Sequence, residues 1–598
     1  MAKQKFLLVE KILGYVSKPE KTNTDPRYLV SPSQNVLIND QEKVETREGY
    51  TLFGVASTAL YESESSYDWE TSSGDIIHLR GLNNELQFYD DNKSAWTVLK
   101  GSWAAVDFCF TTWWDTSEDI DLLLFVNGAD KIWDWSGGIA VLASATSNTI
   151  TKSGTTTWAQ ERFLVTGTTK VIINGTEYTY TGGETTTTLT GVTPDPSAEA
   201  ATSTVFQSIR ENDNQPADTY QADVISVLNN QVHVGSNISR EIYISKNSSF
   251  TDYTYSTPRV TGEGGFVRTD NLVRGFARQT DKMFISAGQD DWYRIDLEKL
   301  ELSAGAVAET IEVNKLQTMS GQAARSQDLI VEVGDYVMFV NFNNELVMLG
   351  KLENMETPSL QTLSDPIKPD FDAEDFTGGQ VKSHKNRIYI SAPVNDKVYI
   401  LESRQQEDGT LRRYWQPPQI LPVKKFMVRS GDIYGHSSSV SETYKLFDGV
   451  NDNAKSFKTT AAFAYRSYGR RDLLKILDEW MTEGYISANT KLVLRLKYDY
   501  GGYTQVLEKE IDGADDDIIF EATTLSSLGD SPLGEHSLGD EDEISGNPKF
   551  KIIHEIPLQD FFEIQAIFET DDIDRQWEIL ATGGNVRLSK NQAVSIKK

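Results

Sequence analysis

Cysteine is almost missing from these 598 residues: Cys109 stands alone. No intrachain disulfide can form. A large chain built for an oxidising compartment would usually carry several, so folding in a reducing cytosol is expected. Histidine is scarce too. The six are His78, His233, His384, His436, His536 and His554, and no two lie within five residues of each other, which excludes HExxH and other short zinc spacings. A phosphate-binding GxxxxGK[ST] loop and a GxSxG nucleophile elbow are also missing. Long apolar runs are lacking. The run from Phe6 to Val9 is too short for a signal-peptide core, and nothing approaches the roughly twenty apolar residues that span a bilayer, so no membrane insertion is expected. Positive charge is in short supply: 57 Lys and Arg face 88 Asp and Glu, a net charge of −31. A protein that grips duplex DNA neutralises phosphates with Lys and Arg, so this balance argues against one. A surface past which DNA slides is compatible with it, because like charge prevents sticking.

Aromatics and β-formers, in contrast, are plentiful, and they repeat. A short apolar run, a polar turn and a second apolar run recur seven times between Ile76 and Phe447. The second run starts near Leu86, Ile132, Ile242, Trp292, Leu346, Val398 and Tyr444, with successive gaps of 46, 110, 50, 54, 52 and 46 residues. A period near fifty built from β-hairpins is the signature of a propeller, whose blades bury their faces only against neighbours. The long gap holds a Thr/Gly-rich tract, residues 146–212, in which Asn174-Gly175 marks a tight hairpin turn. Removing it restores the period. It reads as a small β-domain inserted in a blade loop, with a degenerate eighth blade as the competing reading. Excising Ser147 to Glu211 is expected to leave a folded core.

The fold expected is therefore all-β: a propeller of about seven blades (residues 61–145 and 213–454) with the inserted β-domain. Residues 1–60 form an N-terminal arm whose hairpin, around Asn39-Asp40, can supply a missing strand and close the ring. Residues 455–598 read as a β-sandwich-like domain. Leu492, Leu494, Leu496 and Tyr498 alternate with Val493, Arg495 and Lys497, a half-buried strand, and Phe562, Ile564, Ala566 and Phe568 recur at the same spacing. The segment from Leu473 to Met481 fits a helical face as well as a strand; the surrounding strands favour the strand. An acidic loop, residues 525–548, repeats Leu-Gly every five residues. Leu528, Leu533 and Leu538 are its candidates for contact with a neighbouring subunit, against the plainer reading of a solvated loop.

Little in this chain points to chemistry. His436 precedes three serines but falls in a turn and reads as solvated. Asp448 to Asn453 offers oxygen ligands without the full calcium-loop spacing and reads as a turn. The run from Ser245 to Tyr253 lacks the boxes found in sialidase blades. No catalytic residue, cofactor or metal is expected.

The order of parts resembles the tail nozzle, or tail tubular, proteins of short-tailed bacteriophages. The resemblance rests on NVLINDQEKVETREGYTLFG, NGADKIWDWSGG, SKNSSFTDYTYS, KVIINGTEYTYTGG and the stretch from Arg466 to Gly502. It implies a structural virion protein, not an enzyme. It further implies a hexameric ring at the tail tip, assembled in the host bacterial cytoplasm. Genomic double-stranded DNA would pass through its central channel without specific binding, and a tail adaptor and fibres would be its neighbours. The rival classes are a tail-associated polysaccharide hydrolase and a polysaccharide-binding adhesin.

Overall fold

The computed structural model describes the chain outside residues 1–6, 18–23, 57–58, 166–168, 213–215, 217–219, 248, 258, 280–281, 302–306, 317–320, 351–358, 406–409, 469–472, 488–489, 501–502, 514–548, 571–575 and 589–598. The acidic Leu-Gly loop, with Leu528, Leu533 and Leu538, and His536 lie outside the described residues.

Seven antiparallel sheets follow one another around a ring. Their innermost strands are Ser63–Glu70, Cys109–Asp115, Val224–Leu228, Val273–Gln279, Ile330–Val333, Val381–His384 and Val423–Arg429. The apolar runs that mark the period in the sequence fall at the third strand of each blade, such as Glu85–Asp90, Lys397–Gln405 and Thr443–Leu446. The blades also explain why the second strands read as unbroken apolar runs. In Ile120–Val126, Leu123 and Phe125 pack with Leu79 and Phe88 of blade 1. Leu122, Leu124 and Val126 point the other way, to Ile225, Val232 and Val234 of blade 3. Both faces are buried, so alternation vanishes.

The ring closes between chain-distant strands. Tyr50–Phe53 forms the outer strand of blade 7, with Thr443 opposite Phe53 and Leu446 opposite Tyr50. This strand lies within the run Asn35 to Gly54, which is expected to supply it; the hairpin at the start of that run, Val36–Ile38 and Val44–Thr46, goes elsewhere. It joins a sandwich sheet through Val44 opposite Ile579 and Glu45 opposite Glu578. The same alternation of apolar residues serves either sheet. What decides is Gly49: its backbone fits against Asn451, which a Cβ would meet at 1.8 Å, and the chain crosses there from one unit to the other.

The sandwich pairs a six-stranded sheet containing the N-terminal strands with the sheet of Thr459–Ala462, Ile564–Thr570, Lys491–Tyr500 and Tyr503–Asp512. Leu492, Leu494, Leu496, Ile564 and Phe568 are fully buried in it, each contributing about 1.5–3 kcal/mol by removal from water. Phe562 is half-buried in the bend before its strand. Lys475–Ile486 is a strand, paired on both sides, so the helical pattern there is incidental. One continuous core runs from the sandwich (Leu477, Trp480, Trp577) through the N-terminal segment (Tyr15, Leu29) into blades 5 and 6 (Met338, Ile390, Trp415).

The insertion begins earlier than its composition suggests, at Ile139–Ala145, and its last strand is Thr204–Gln207. Arg210–Glu211 already belongs to blade 2, paired with Trp133–Trp135. The insertion is also packed, not pendant. Phe206 meets Phe88 edge-on at 5.1 Å, and the Trp135 indole donates to Gln207 O at 2.8 Å. The Arg162 guanidinium pairs with buried Asp121 at 2.8 Å. Replacing residues 140–206 by a short Gly-Ser linker is therefore expected to cost about 3–5 kcal/mol, the range for orphaning one member of a buried ion pair. A thermal melt checks this; an unchanged midpoint would mean that the insertion is energetically separate.

Candidate functional site

Several charged groups of the inner strands meet near the axis of the ring. Inner strands run in one direction, so their beginnings gather at one end of the axis. There Lys424 reaches Glu62 at 2.8 Å and Glu64 at 2.7 Å, and Lys425 contacts Asp328 directly. Asp107 is exposed at this end, yet protein encloses its carboxyl. That enclosure, reinforced by Asp328, pushes its carboxyl up to about 6. Further along, Asp68 Oδ1 faces His78 Nδ1 at 3.0 Å, and Asp68 Oδ2 takes Lys382 Nζ at 2.7 Å and the Val428 N–H at 2.9 Å. Burial opposes ionisation of Asp68, but Lys382 and His78 outweigh it and hold the acid at about 2. Two of these pairs skip a blade: Lys425 to Asp328 links blades 7 and 5, and Lys382 to Asp68 links blades 6 and 1. Side chains therefore tie non-adjacent blades together at two levels.

His436 is not a solvated turn residue. It lies in the strand Asp432–Ser437, fully buried, with Nδ1 2.9 Å from Thr443 Oγ1 and Nε2 3.1 Å from Ser66 Oγ. Burial, with Arg80 nearby, holds its pKa well below the ordinary histidine value. The strand runs further into the serine run than the polar letters imply, because Ser437 is itself buried. His233 is likewise buried and lowered to about 4. His384 faces the Gly431 carbonyl at 2.9 Å. Asp448 accepts from Thr51 Oγ1 at 2.5 Å, and Asp452 takes Arg47 at 2.6 Å, so both carboxylates of the calcium-like run serve the ring closure. Among the described residues, no three His, Cys, Asp or Glu side chains are grouped to hold a metal. Phe250 and Tyr253 of the Ser245 to Tyr253 run are buried in blade 3, beside the Lys246–Asp252 ion pair at 2.6 Å.

Two carboxylates that sequence reasoning missed face each other at the joint between arm and sandwich. Glu45 and Glu578 are cross-strand neighbours, and the Asn39 amide donates to both, at 3.1 and 2.8 Å. Burial, opposed by Asn39 and assisted by Glu578, raises Glu45 from 4.5 to about 7. A folded-state value above the unfolded one means that stability is fully present below about 4.5 and is lost as pH rises through about 7. Glu45→Gln is expected to flatten this slope and to be more stable than the parent above neutrality, by on the order of 1–3 kcal/mol. Urea melts across that pH range measure it. A parallel slope in the variant would exclude Glu45 as its source.

Cavities open between several of these units. One of about 460 Å³ lies between the N-terminal segment and the outer strands of blades 5 and 6, lined by Tyr15, Arg412 and Tyr414. Another, of about 400 Å³, lies between blade 1 and the insertion. A third, of about 310 Å³, opens beside His384 and Glu402.

This arrangement defines the chain as a seven-bladed β-propeller with an inserted β-domain, joined to a β-sandwich. No protein-family model matches it, and no curated protein does. Among solved structures it is similar to the BBS1N domain crystallised with ARL6DN (10% identity, TM-score 0.32, covering 68% of this chain and 99% of that one). It is also similar to YCF48 from Cyanidioschyzon merolae (8% identity, TM-score 0.29, 67% and 99%). The computationally designed Ika8 protein gives 9% identity and a TM-score of 0.30, over 67% of this chain and 99% of that one.

Proposed function

We propose that this chain is a structural subunit of a bacteriophage tail nozzle, assembled as a homo-oligomeric ring that conducts genomic DNA and touches a tail adaptor and fibres. The observation that carries this reading is the shared core. N-terminal segment, C-terminal sandwich and blades 5 and 6 are fused by one set of buried side chains, which gives a stiff block suited to bearing load in an assembly. DNA would travel through the hole between subunits. A net charge of −31 per chain, multiplied around the ring, would keep phosphates off that wall over about 8–10 Å at physiological salt.

Electron microscopy of the purified protein and of particles that contain it tests the reading. Sixfold rings at the tail tip are expected. A protein that stays monomeric at all concentrations and is missing from purified virions would overturn it. The assembled ring is also expected to leave duplex DNA unshifted in a gel titration. Salt-sensitive binding tighter than roughly micromolar, beyond the non-specific range, would mean that the lumen grips DNA.

A further inference from the structure

We infer that the cavity of about 460 Å³ between the N-terminal segment and blades 5 and 6 binds a carboxylate-bearing sugar of the uronic-acid type. Three parts of the chain build it. The strands Gly14–Val16 and Tyr28–Val30, paired with each other, form one wall. The outer strand of blade 5, Leu360–Thr362, and the turn after it form the second. The outer strand of blade 6, Leu411–Trp415, forms the third. The charged lining is Arg412 and Arg413 against Asp365. That surplus of arginine runs against the chain's net charge of −31.

The two arginines differ. Arg412 is committed: Nη2 donates to Leu13 O at 2.6 Å, and Nη1 lies 3.8 Å from Glu42. Arg413 is half-buried and makes no hydrogen bond or ion pair among the described residues. The Tyr336 ring stands 5.9 Å from its guanidinium carbon, at the limit of cation–π attraction. Its Nε is covered and has no acceptor, whereas its terminal nitrogens stay accessible. A guanidinium presents parallel N–H groups in one plane, and a carboxylate is their matching acceptor. The fold holds this fork in a cavity wall and gives it nothing to hold. One free guanidinium balances one negative charge, which favours a carboxylate over a phosphate dianion. The rest of the lining asks for hydroxyls. Tyr28, Gln361 and Thr362 are polar and only partly buried, and their side chains make no hydrogen bonds among the described residues. Leu13 and Leu411 offer apolar surface to the C–H face of a ring. The volume falls within the range of small-ligand sites. A hydroxylated ring with one carboxylate uses all of these groups together.

Isothermal titration of the full chain with D-glucuronate tests the site, with D-glucose, acetate and a Glu-rich peptide as companion probes. Saturable binding of glucuronate in the millimolar range, weakened by salt, is expected. Glucose should bind about tenfold more weakly for want of the charge, and acetate more weakly for want of the ring. Arg413→Ala should weaken glucuronate about tenfold, since a hydrogen bond between charged groups is lost. Arg413→Lys should recover only part, because an ammonium keeps the charge without the fork. Neither change strands another group, and a thermal melt of each variant checks this. Thr362→Val should weaken glucuronate severalfold and leave acetate unchanged, which keeps the test valid if the Arg413 variants fail to fold. No saturable binding of glucuronate, binding matched by glucose or acetate, or binding that Arg413→Ala and Thr362→Val both leave unchanged would overturn the assignment. So would tighter binding of the acidic peptide, which would make the cavity a protein-docking site.

Discussion

Arg47→Ala is expected to be the most damaging single substitution in this chain, costing about 3–5 kcal/mol. The Arg47 side chain is fully buried at the crossing from sandwich to ring. Its two terminal nitrogens meet Asp452 at 2.7 and 2.6 Å, and its Nε donates to Asn35 Oδ1 at 3.1 Å. It also donates to the carbonyls of Glu48 at 2.9 Å and Ile420 at 3.2 Å, and it stacks 3.9 Å from the Phe457 ring. Burial already raises the Asp452 carboxyl in spite of Arg47. Without the guanidinium, Asp452 would take up a proton and two backbone carbonyls would lose their donor. Lysine cannot restore a planar fork, so Arg47→Lys should recover little. Replacing Arg47 and Asp452 together by apolar residues should recover part of the loss, because no charge is then stranded. Chemical denaturation reports all three. An Arg47→Ala midpoint within error of the parent would show that the crossing carries no load.

Deleting residues 1–53 should go further and abolish cooperative folding. The deletion removes the outer strand of blade 7 and three strands of the sandwich sheet. It also removes Val9, Ile12, Tyr15, Leu29, Val36, Ile38 and Val44 from the shared core. At about 1.5–3 kcal/mol for each buried side chain, the loss is roughly 10–20 kcal/mol, against a whole-domain stability of about 5–15 kcal/mol. Limited proteolysis and a circular-dichroism melt would show the result. A truncated protein that still melts in one sharp transition would mean that the propeller stands without its closure.

The propeller was legible because each blade repeats the same local physics. Third strands end at polar turns every fifty residues or so, and second strands are apolar on both faces. What escaped was what local pattern does not encode. Val36–Ile38 and Val44–Thr46 have the alternation that any half-buried hairpin has. Their partner, the strand Trp577–Leu588, lies at the far end of the chain, and nothing in either segment names the other. The start of the insertion was hidden because Ile139–Ala145 alternates like a blade strand, whereas the change of composition comes only after it. His436 looked solvated because its neighbours are serines, yet Ser66 and Thr443 approach from other strands and bury it.

Closure by Tyr50–Phe53 also sets a timetable. That strand leaves the ribosome early, but Thr443–Leu446, against which it lies, is made almost four hundred residues later. At about 5–20 residues per second, the first partner waits on the order of 20–80 s for the second. The strands at Leu7–Val9 and Val44–Thr46 wait longer still, until Trp577–Leu588 is complete. Through that interval the leading segment carries unpaired strand edges and exposed apolar side chains, the condition in which nascent chains aggregate or recruit chaperones. A message cut short anywhere before blade 7 yields a product that cannot latch. Only a chain translated through Trp577–Leu588 can become a finished part.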